Sequence, residues 1–210
     1  MYLSVLNRKQ KELLKKIGFL RKYGFYLAGG TALALQINHR TSVDFDFYTK
    51  KRFNSSELQR LFERKFKEII LLQKAEGTLI VKIDGVAVSF FQYPYPLIFS
   101  LIEYQNFPPL ASKEDIAAMK IIAISDRGTK RDFIDIYFLL EEFSLKEILD
   151  FVKKKYPNFN IYVGLRGLTY FVDAEKKQKR RLYLFHSVFW SEVKKILIKE
   201  VKKYQKEWLK

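Results

Sequence analysis

Cysteine is absent from the 210 residues, which excludes disulfide scaffolds, thiolate metal sites and cysteine nucleophiles. Histidine is scarce too: only His39 and His186 occur, too few for a zinc site built on imidazole. Nine glycines and five prolines exclude collagen-like repeats and low-complexity linkers, and an apolar content of 48% excludes a disordered chain. Long apolar runs are missing as well. The longest uncharged stretch, residues 85–102, carries Gln92, Pro94, Pro96 and several tyrosines, and reads as a buried strand entering a loop rather than a membrane span. The first residues, MYLSVLNRKQKELLKK, turn charged after seven positions and hold no apolar signal core, so the expectation is a soluble cytoplasmic protein.

What the chain has in excess is positive charge and aromatic rings. Lys and Arg number 39 against 23 acids, a formal charge of +16, and Phe, Tyr and Trp make up 16% of the residues. An imbalance of that size favours a polyanionic partner: nucleic acid, nucleotide phosphates or an anionic membrane surface. Lysine-rich helices with interspersed Glu are the plainer source of the same excess.

Periodicity predicts an amphipathic helix over residues 1–22, a short strand over 25–28, a glycine-rich turn and a second helix. Residues 42–48 alternate strictly, with Val43, Phe45 and Phe47 on one face and Asp44, Asp46 and Tyr48 on the other. A helix follows over 56–71, then strands over 78–83 and 86–91 joined by Asp84-Gly85, the dipeptide suited to a type I′ hairpin. From residue 112 the signals are helical: 112–126, a second helix around Phe133 and Leu140, a third opened by the capping box Ser144 to Glu147, another over 160–174, and a basic terminal helix striped with Val193, Leu197, Val201, Tyr204 and Trp208. The fold class expected is α/β (α+β): a mixed sheet flanked by helices over residues 1–110, then a helical domain over 111–210.

Chemistry concentrates in FYLAGGTALALQINHRTSVDFDFY, residues 25–48. A strand runs through Gly29, Gly30 and Thr31 into a helix. Glycines let a backbone approach a phosphate closely, and a helix N-terminus supplies N–H donors; Thr31 can cap that helix or donate to a phosphate oxygen. Alone, the tripeptide reads more readily as an ordinary strand-to-helix turn. Asp44 and Asp46 follow, two apart on an oriented strand, so their side chains point the same way. Two such carboxylates can bracket Mg2+ or Mn2+ and leave positions for an NTP.

The pattern Gly-Gly-Thr-Ala-Leu-Ala-Leu followed by His39-Arg40-x-Ser42-x-Asp44-Phe-Asp46 resembles the AbiEii/AbiGii-type nucleotidyltransferase toxins of the DNA polymerase β-like superfamily. The resemblance continues through Ala117-Ala118-Met-Lys120, Asp126-Arg127-Gly128, Arg131-Asp132-Phe-Ile-Asp135 and Leu168-Thr-Tyr-Phe-Val-Asp173-Ala-Glu175, so it covers most of the chain. It implies transfer of a nucleoside monophosphate from an NTP to an acceptor hydroxyl, with the 3′ end of tRNA as the suggested acceptor and a protein hydroxyl as the competing one, by the toxin of a toxin–antitoxin or abortive-infection system with an antitoxin partner. Gly29, Gly30 and Thr31 match the phosphate turn, Asp44 and Asp46 the metal ligands, Lys120 a triphosphate contact, and Asp135 a further carboxylate, with Asp132 the alternative. One departure is visible: many superfamily members carry a third metal-binding carboxylate on a later strand, where residues 86–91 offer only Ser89. That departure keeps a second reading open, a weakly active or inactive fold that binds RNA or antitoxin.

Three further features belong to these readings. Arg40 can meet a phosphate or pair with Asp44 or Asp46. Tyr93 and Tyr95 can stack on a base or simply pack. Lys176, Lys177, Lys179, Arg180 and Arg181 form a dense cluster able to track an RNA backbone.

Overall fold

The computed structural model describes residues 1–176 and 183–208. The chain falls into two units, Met1–Ser112 and Lys113–Lys210, each with its own core.

In the first unit Asn7 opens helix α1 (Arg8–Lys16) with a reciprocal cap. Its side chain accepts from the Gln10 N–H, and the Gln10 side chain accepts from the Asn7 N–H. The single helix expected to residue 22 breaks, because Gly18–Tyr23 winds as a 3-10 helix. Gly18 shows the constraint: a Cβ there would lie 2.6 Å from the Asn106 carbonyl oxygen, so local winding yields to a passing backbone. Gly24, left-handed at φ 77°, ends the segment.

Strand β1 (Tyr26–Ala28) leads directly into α2 (Gly29–Ile37), followed by β2 (Asp44–Thr49) and α3 (Ser55–Lys65). The helix expected over 56–71 stops at Lys65, where Phe66 turns extended, and β3 (Ile69–Ala75) begins. A short apolar run such as Ile69-Ile70-Leu71-Leu72 is ambiguous by periodicity. Antiparallel pairing with β4 (Thr78–Ile83) decides it. The hairpin from β4 to β5 (Val86–Gln92) forms as expected, with Asp84 at φ 48° and Gly85 at φ 83°. The sheet order is β1-β2-β5-β4-β3; β2 and β5 are parallel and every other pair antiparallel. β3 is an edge strand with Ile70, Leu71 and Leu72 exposed.

One face of this sheet is an aromatic core. Phe47 stacks on Phe90 with centroids 5.4 Å apart, and Phe25 and Phe62 reach the same Phe90 ring at 5.3 and 5.1 Å. Phe45, Phe47 and Thr49 are buried while Asp44, Asp46 and Tyr48 are half-buried, which is the alternation the sequence shows. Val43 is the exception: it precedes the strand and is exposed.

The second unit is helical: α4 (Lys113–Asp126), α5 (Lys130–Leu139), α6 (Leu145–Lys155), α7 (Ile161–Leu168), α8 (Val172–Glu175) and α9 (Trp190–Trp208). The capping box at Ser144 and Glu147 is present. The helix expected over 160–174 is interrupted after Leu168 and resumes as α8. α4 is buried on more than one side, and α7 approaches it through glycines: a Cβ on Gly164 would lie 2.9 Å from Ile121 Cγ2. Val193, Leu197, Val201 and Tyr204 form the buried stripe of α9, and the Trp208 side chain lies outside the described residues. Among the described residues no helix is long and apolar enough to cross a membrane.

A fully buried ion pair joins α4 to α6, with Lys155 Nζ 2.6 Å from Asp115 Oδ1. Removing one partner leaves the other charge in an apolar interior. Lys155→Met is therefore expected to lower the unfolding free energy by about 3–5 kcal/mol. The double variant Asp115→Leu/Lys155→Met is expected to recover most of that loss, and urea denaturation of the three proteins measures both effects.

Candidate active site

The turn between β1 and α2 starts from a backbone requirement. Gly29 sits at φ 67°, a conformation that disfavours any side chain, and a Cβ there would lie 3.3 Å from Asp46 Oδ2. The bare turn and the Asp46 carboxylate are thus in direct proximity. Ala28 precedes the helix in extended conformation, and no side chain caps the first turn of α2. Its N–H groups are the donors an incoming anion would meet.

Thr31 does not face that anion with its side chain. The residue is buried, its hydroxyl donates to the Asp44 carbonyl oxygen, and Ser42 Oγ lies 2.5 Å away. With its one proton given to Asp44, Thr31 accepts from Ser42. The hydroxyl therefore pins the start of β2 to the helix, and the backbone N–H groups of Gly29, Gly30 and Thr31 are what the turn offers a phosphate. Gln10 strengthens the same junction by donating from Nε2 to the Ser42 carbonyl at 3.0 Å. Neither Ser42 nor Gln10 is among the sequence-derived candidates. The Asn7-x-x-Gln10 spacing was the available signal for Gln10, while Ser42 carried none beyond its place in the motif.

Asp44 and Asp46 share the half-buried face of β2. Across the parallel ladder Asp44 is in register with Ala87 and Asp46 with Ser89, and on the other side Asp46 is in register with Ala28. The neighbouring strand therefore adds a hydroxyl and a methyl, not a carboxylate. Asp84 sits in the hairpin turn, 3.9 Å from Lys16 Nζ. Among the described residues no three His, Cys, Asp or Glu side chains are grouped to hold a metal. Two carboxylates beside a backbone N–H turn still suit Mg2+, which takes one or two protein carboxylates and completes its octahedron with water and substrate phosphates.

Arg40 is buried and donates from Nη1 to the Thr41 carbonyl at 3.1 Å; His39 beside it is buried as well. Tyr93 packs on Tyr95 at 4.9 Å and on Tyr48 at 5.1 Å, so the aromatic loop is tied to the same strand face as Asp46.

In the helical unit three candidates are brought together. Lys120 Nζ lies 2.8 Å from Asp132 Oδ1 and 2.6 Å from Asp135 Oδ2, with all three side chains almost fully buried. Thr129 donates its hydroxyl to the other oxygen of Asp132 at 2.6 Å, and Arg127 stands 3.6 Å from it. Burial alone would raise the Asp132 carboxyl, but the Lys120 ion pair and hydrogen bond, with Thr129 and Arg127, outweigh it and hold the group below the usual carboxylate range. Lys176 is exposed and pairs with Asp173. Lys177, Lys179, Arg180 and Arg181 lie outside the described residues.

Residues 19–95 and 78–187 match the family model described as nucleotidyl transferase AbiEii toxin, type IV TA system. An uncharacterized protein of Aquifex aeolicus, aq_aa25, is 38% identical over 205 residues, covering 95% of this chain and 97% of its own. Two solved structures share the fold. JHP933 from Helicobacter pylori superposes with a TM-score of 0.53 at 18% identity over 96% of both chains. MenT4, a nucleotidyltransferase toxin of Mycobacterium tuberculosis, superposes with a TM-score of 0.53 at 14% identity, covering 91% of this chain and 81% of its own.

Two outcomes follow from this geometry. Gly29→Ala forces a left-handed alanine against the Asp46 carboxylate and is expected to cost about 1–2 kcal/mol of stability, read by urea denaturation. For Asp132, a carboxyl depressed in the folded state adds stability above its unfolded value and loses it as pH falls through the folded one. Asp132→Asn is expected to lower stability at pH 7 and to flatten the decline below about pH 4, near the unfolded value. Denaturation midpoints at pH 7 and in acid check both parts.

Proposed function

The chain belongs to the AbiEii nucleotidyl transferase toxin family, and on that premise we propose that it transfers a nucleoside monophosphate from an NTP to the 3′ hydroxyl of a cytoplasmic RNA, tRNA being the acceptor that the sequence resemblance implies. The enzyme is a nucleotidyltransferase. The observation that carries the finer reading is the approach of Asp46 to the bare Gly29 turn, so close that a Cβ on Gly29 would lie 3.3 Å from Asp46 Oδ2, which joins a phosphate cradle to an acidic strand face.

In this reading the N–H groups of Gly29, Gly30 and Thr31 bind the β- and γ-phosphates. Asp44 and Asp46 hold a divalent cation, Mg2+ or Mn2+, which when bound supplies Lewis-acid charge neutralisation at the phosphates. A new bond forms between the acceptor oxygen and the α-phosphorus, the bond to the β-phosphate oxygen breaks, pyrophosphate leaves, and the hydroxyl proton passes to water. Lys120 and Asp135, which the sequence resemblance casts as a triphosphate contact and a supporting carboxylate, are buried against each other in the helical unit, and Arg40 takes the part of a phosphate or base contact. An antitoxin is the protein partner of this reading.

A second reading has its own observation. Ser89 stands beside Asp46 where a third carboxylate would complete the acidic set. It favours a weakly active or inactive protein that binds RNA or antitoxin.

Labelling with each α-32P-NTP, Mg2+ or Mn2+ and total tRNA separates the two. Wild type is expected to label RNA only with metal present. Asp44→Ala/Asp46→Ala is expected to lose at least about 100-fold, the scale of removing preorganised charge stabilisation, while RNA affinity stays near wild type. Label on the protein itself points to a protein hydroxyl as acceptor. No label with any NTP from a folded protein leaves the binding reading.

A further inference from the structure

β1 and β2 are antiparallel, so the residues before β1 and those after β2 lie at one end of the ladder, with Gly29 and Asp44 at the other. At that far end is a cleft of about 640 Å3 whose lining includes Lys22, Lys51, Arg52 and Arg64. Glu57 is its one lining carboxylate. None of the four cations forms an ion pair with a carboxylate among the described residues, although the chain carries 23 acids. Four like charges gathered around a single carboxylate repel one another. The arrangement is explained if an anion spends time between them.

The walls are not merely charged. Tyr23 is half-exposed and set edge-on against Phe19 at 6.2 Å, and Phe53 is held against the buried Phe25 at 5.2 Å. Gly24 at φ 77° leaves room for the Lys51 stem, whose Cε would lie 3.2 Å from a Cβ there. A second cleft of about 600 Å3 shares Arg52, Phe53 and Asn54 with the first and extends past Lys74 and Glu76. Together the two make a trough longer than one phosphate group requires, with ring faces beside cations. Cations tracking a backbone, interleaved with aromatic platforms, are what single-stranded nucleic acid binding uses.

We propose that this trough, with Lys22, Lys51, Arg52 and Arg64 as its phosphate contacts and Tyr23 and Phe53 as its stacking surfaces, binds a single-stranded segment of the RNA acceptor away from the reacting end. The proposal rests on the reading of RNA as acceptor. Lys51 follows Asp46 by five residues, about 17 Å of extended chain, so these side chains hold the substrate without touching the reacting atoms. They are binding residues, and their loss raises KM for RNA while kcat stays.

The test measures fluorescence anisotropy of a labelled 12-nucleotide single-stranded RNA, without NTP, across a salt series. Lys51→Ala/Arg52→Ala and Lys22→Ala/Arg64→Ala are each expected to weaken binding at least 10-fold at low salt and to reduce the salt slope by about 1.4, or roughly 0.7 per lost phosphate contact on a single strand. Lys153→Ala/Lys154→Ala, an equal charge change on the exposed face of α6, is expected to leave affinity within about 2-fold. Circular dichroism establishes that each variant is folded. The proposal is overturned if both trough variants bind as wild type, if the control loses as much as they do, if wild type binds no RNA, or if inorganic tripolyphosphate displaces the RNA at equal phosphate concentration. Trough-dependent RNA binding without label transfer sinks the transferase reading and leaves the trough standing. Label transfer with trough-independent binding does the reverse.

Discussion

Phe90 receives three rings, from Phe47 on the adjacent strand, Phe25 ahead of β1 and Phe62 on α3, and this contact decides which way β2 faces. A strand has only two faces, so burying Phe45 and Phe47 turns Asp44 and Asp46 together to the other side. The carboxylates need no network of their own to be aligned; the core on the opposite face aligns them. The turn that meets Asp46 is held by the same strand, since Thr31 and Gln10 anchor its entry through Asp44 and Ser42. Slipping β2 by one residue would exchange the carboxylates with the phenylalanines and dissolve both core and site.

That dependence explains what can be read directly from the amino acids. Strict alternation over residues 44–48, the Asp84-Gly85 turn and the Ser144 to Glu147 cap each carry their physics locally, and each appears where local physics puts it. β3 was not legible, because Ile69 to Leu72 satisfies helix and strand alike and only β4 chooses between them. The break at Gly18 was hidden for a related reason: its cause is Asn106, distant in the chain. At the site, the pair of carboxylates and the glycine turn were visible as types and spacing. The inward bond of the Thr31 hydroxyl was not, since a threonine after two glycines looks the same whether it faces phosphate or strand.

Charge is handled in two ways that the composition cannot separate. In the helical unit, Lys120 and Lys155 are buried against Asp132, Asp135 and Asp115, so some of the chain's lysines belong to its interior. Around the far end of the β1–β2 ladder, lysine and arginine stand in the open with aromatic neighbours. A formal charge of +16 is the sum of both uses.

The parallel pairing of β2 with β5 has a consequence for how the chain matures. Thirty-six residues separate Thr49 from Val86, and α3, β3 and β4 all lie between them. Closing so long a loop is slow compared with forming the local hairpin of β4 and β5. The outer edge of β1 is covered later still, by Leu27 exchanging hydrogen bonds with Pro109 and Ala111. A growing chain therefore holds Asp44 and Asp46 well before it owns the strand that orients them. During synthesis the acidic pair is present as sequence before the strand that pairs beside it has been made.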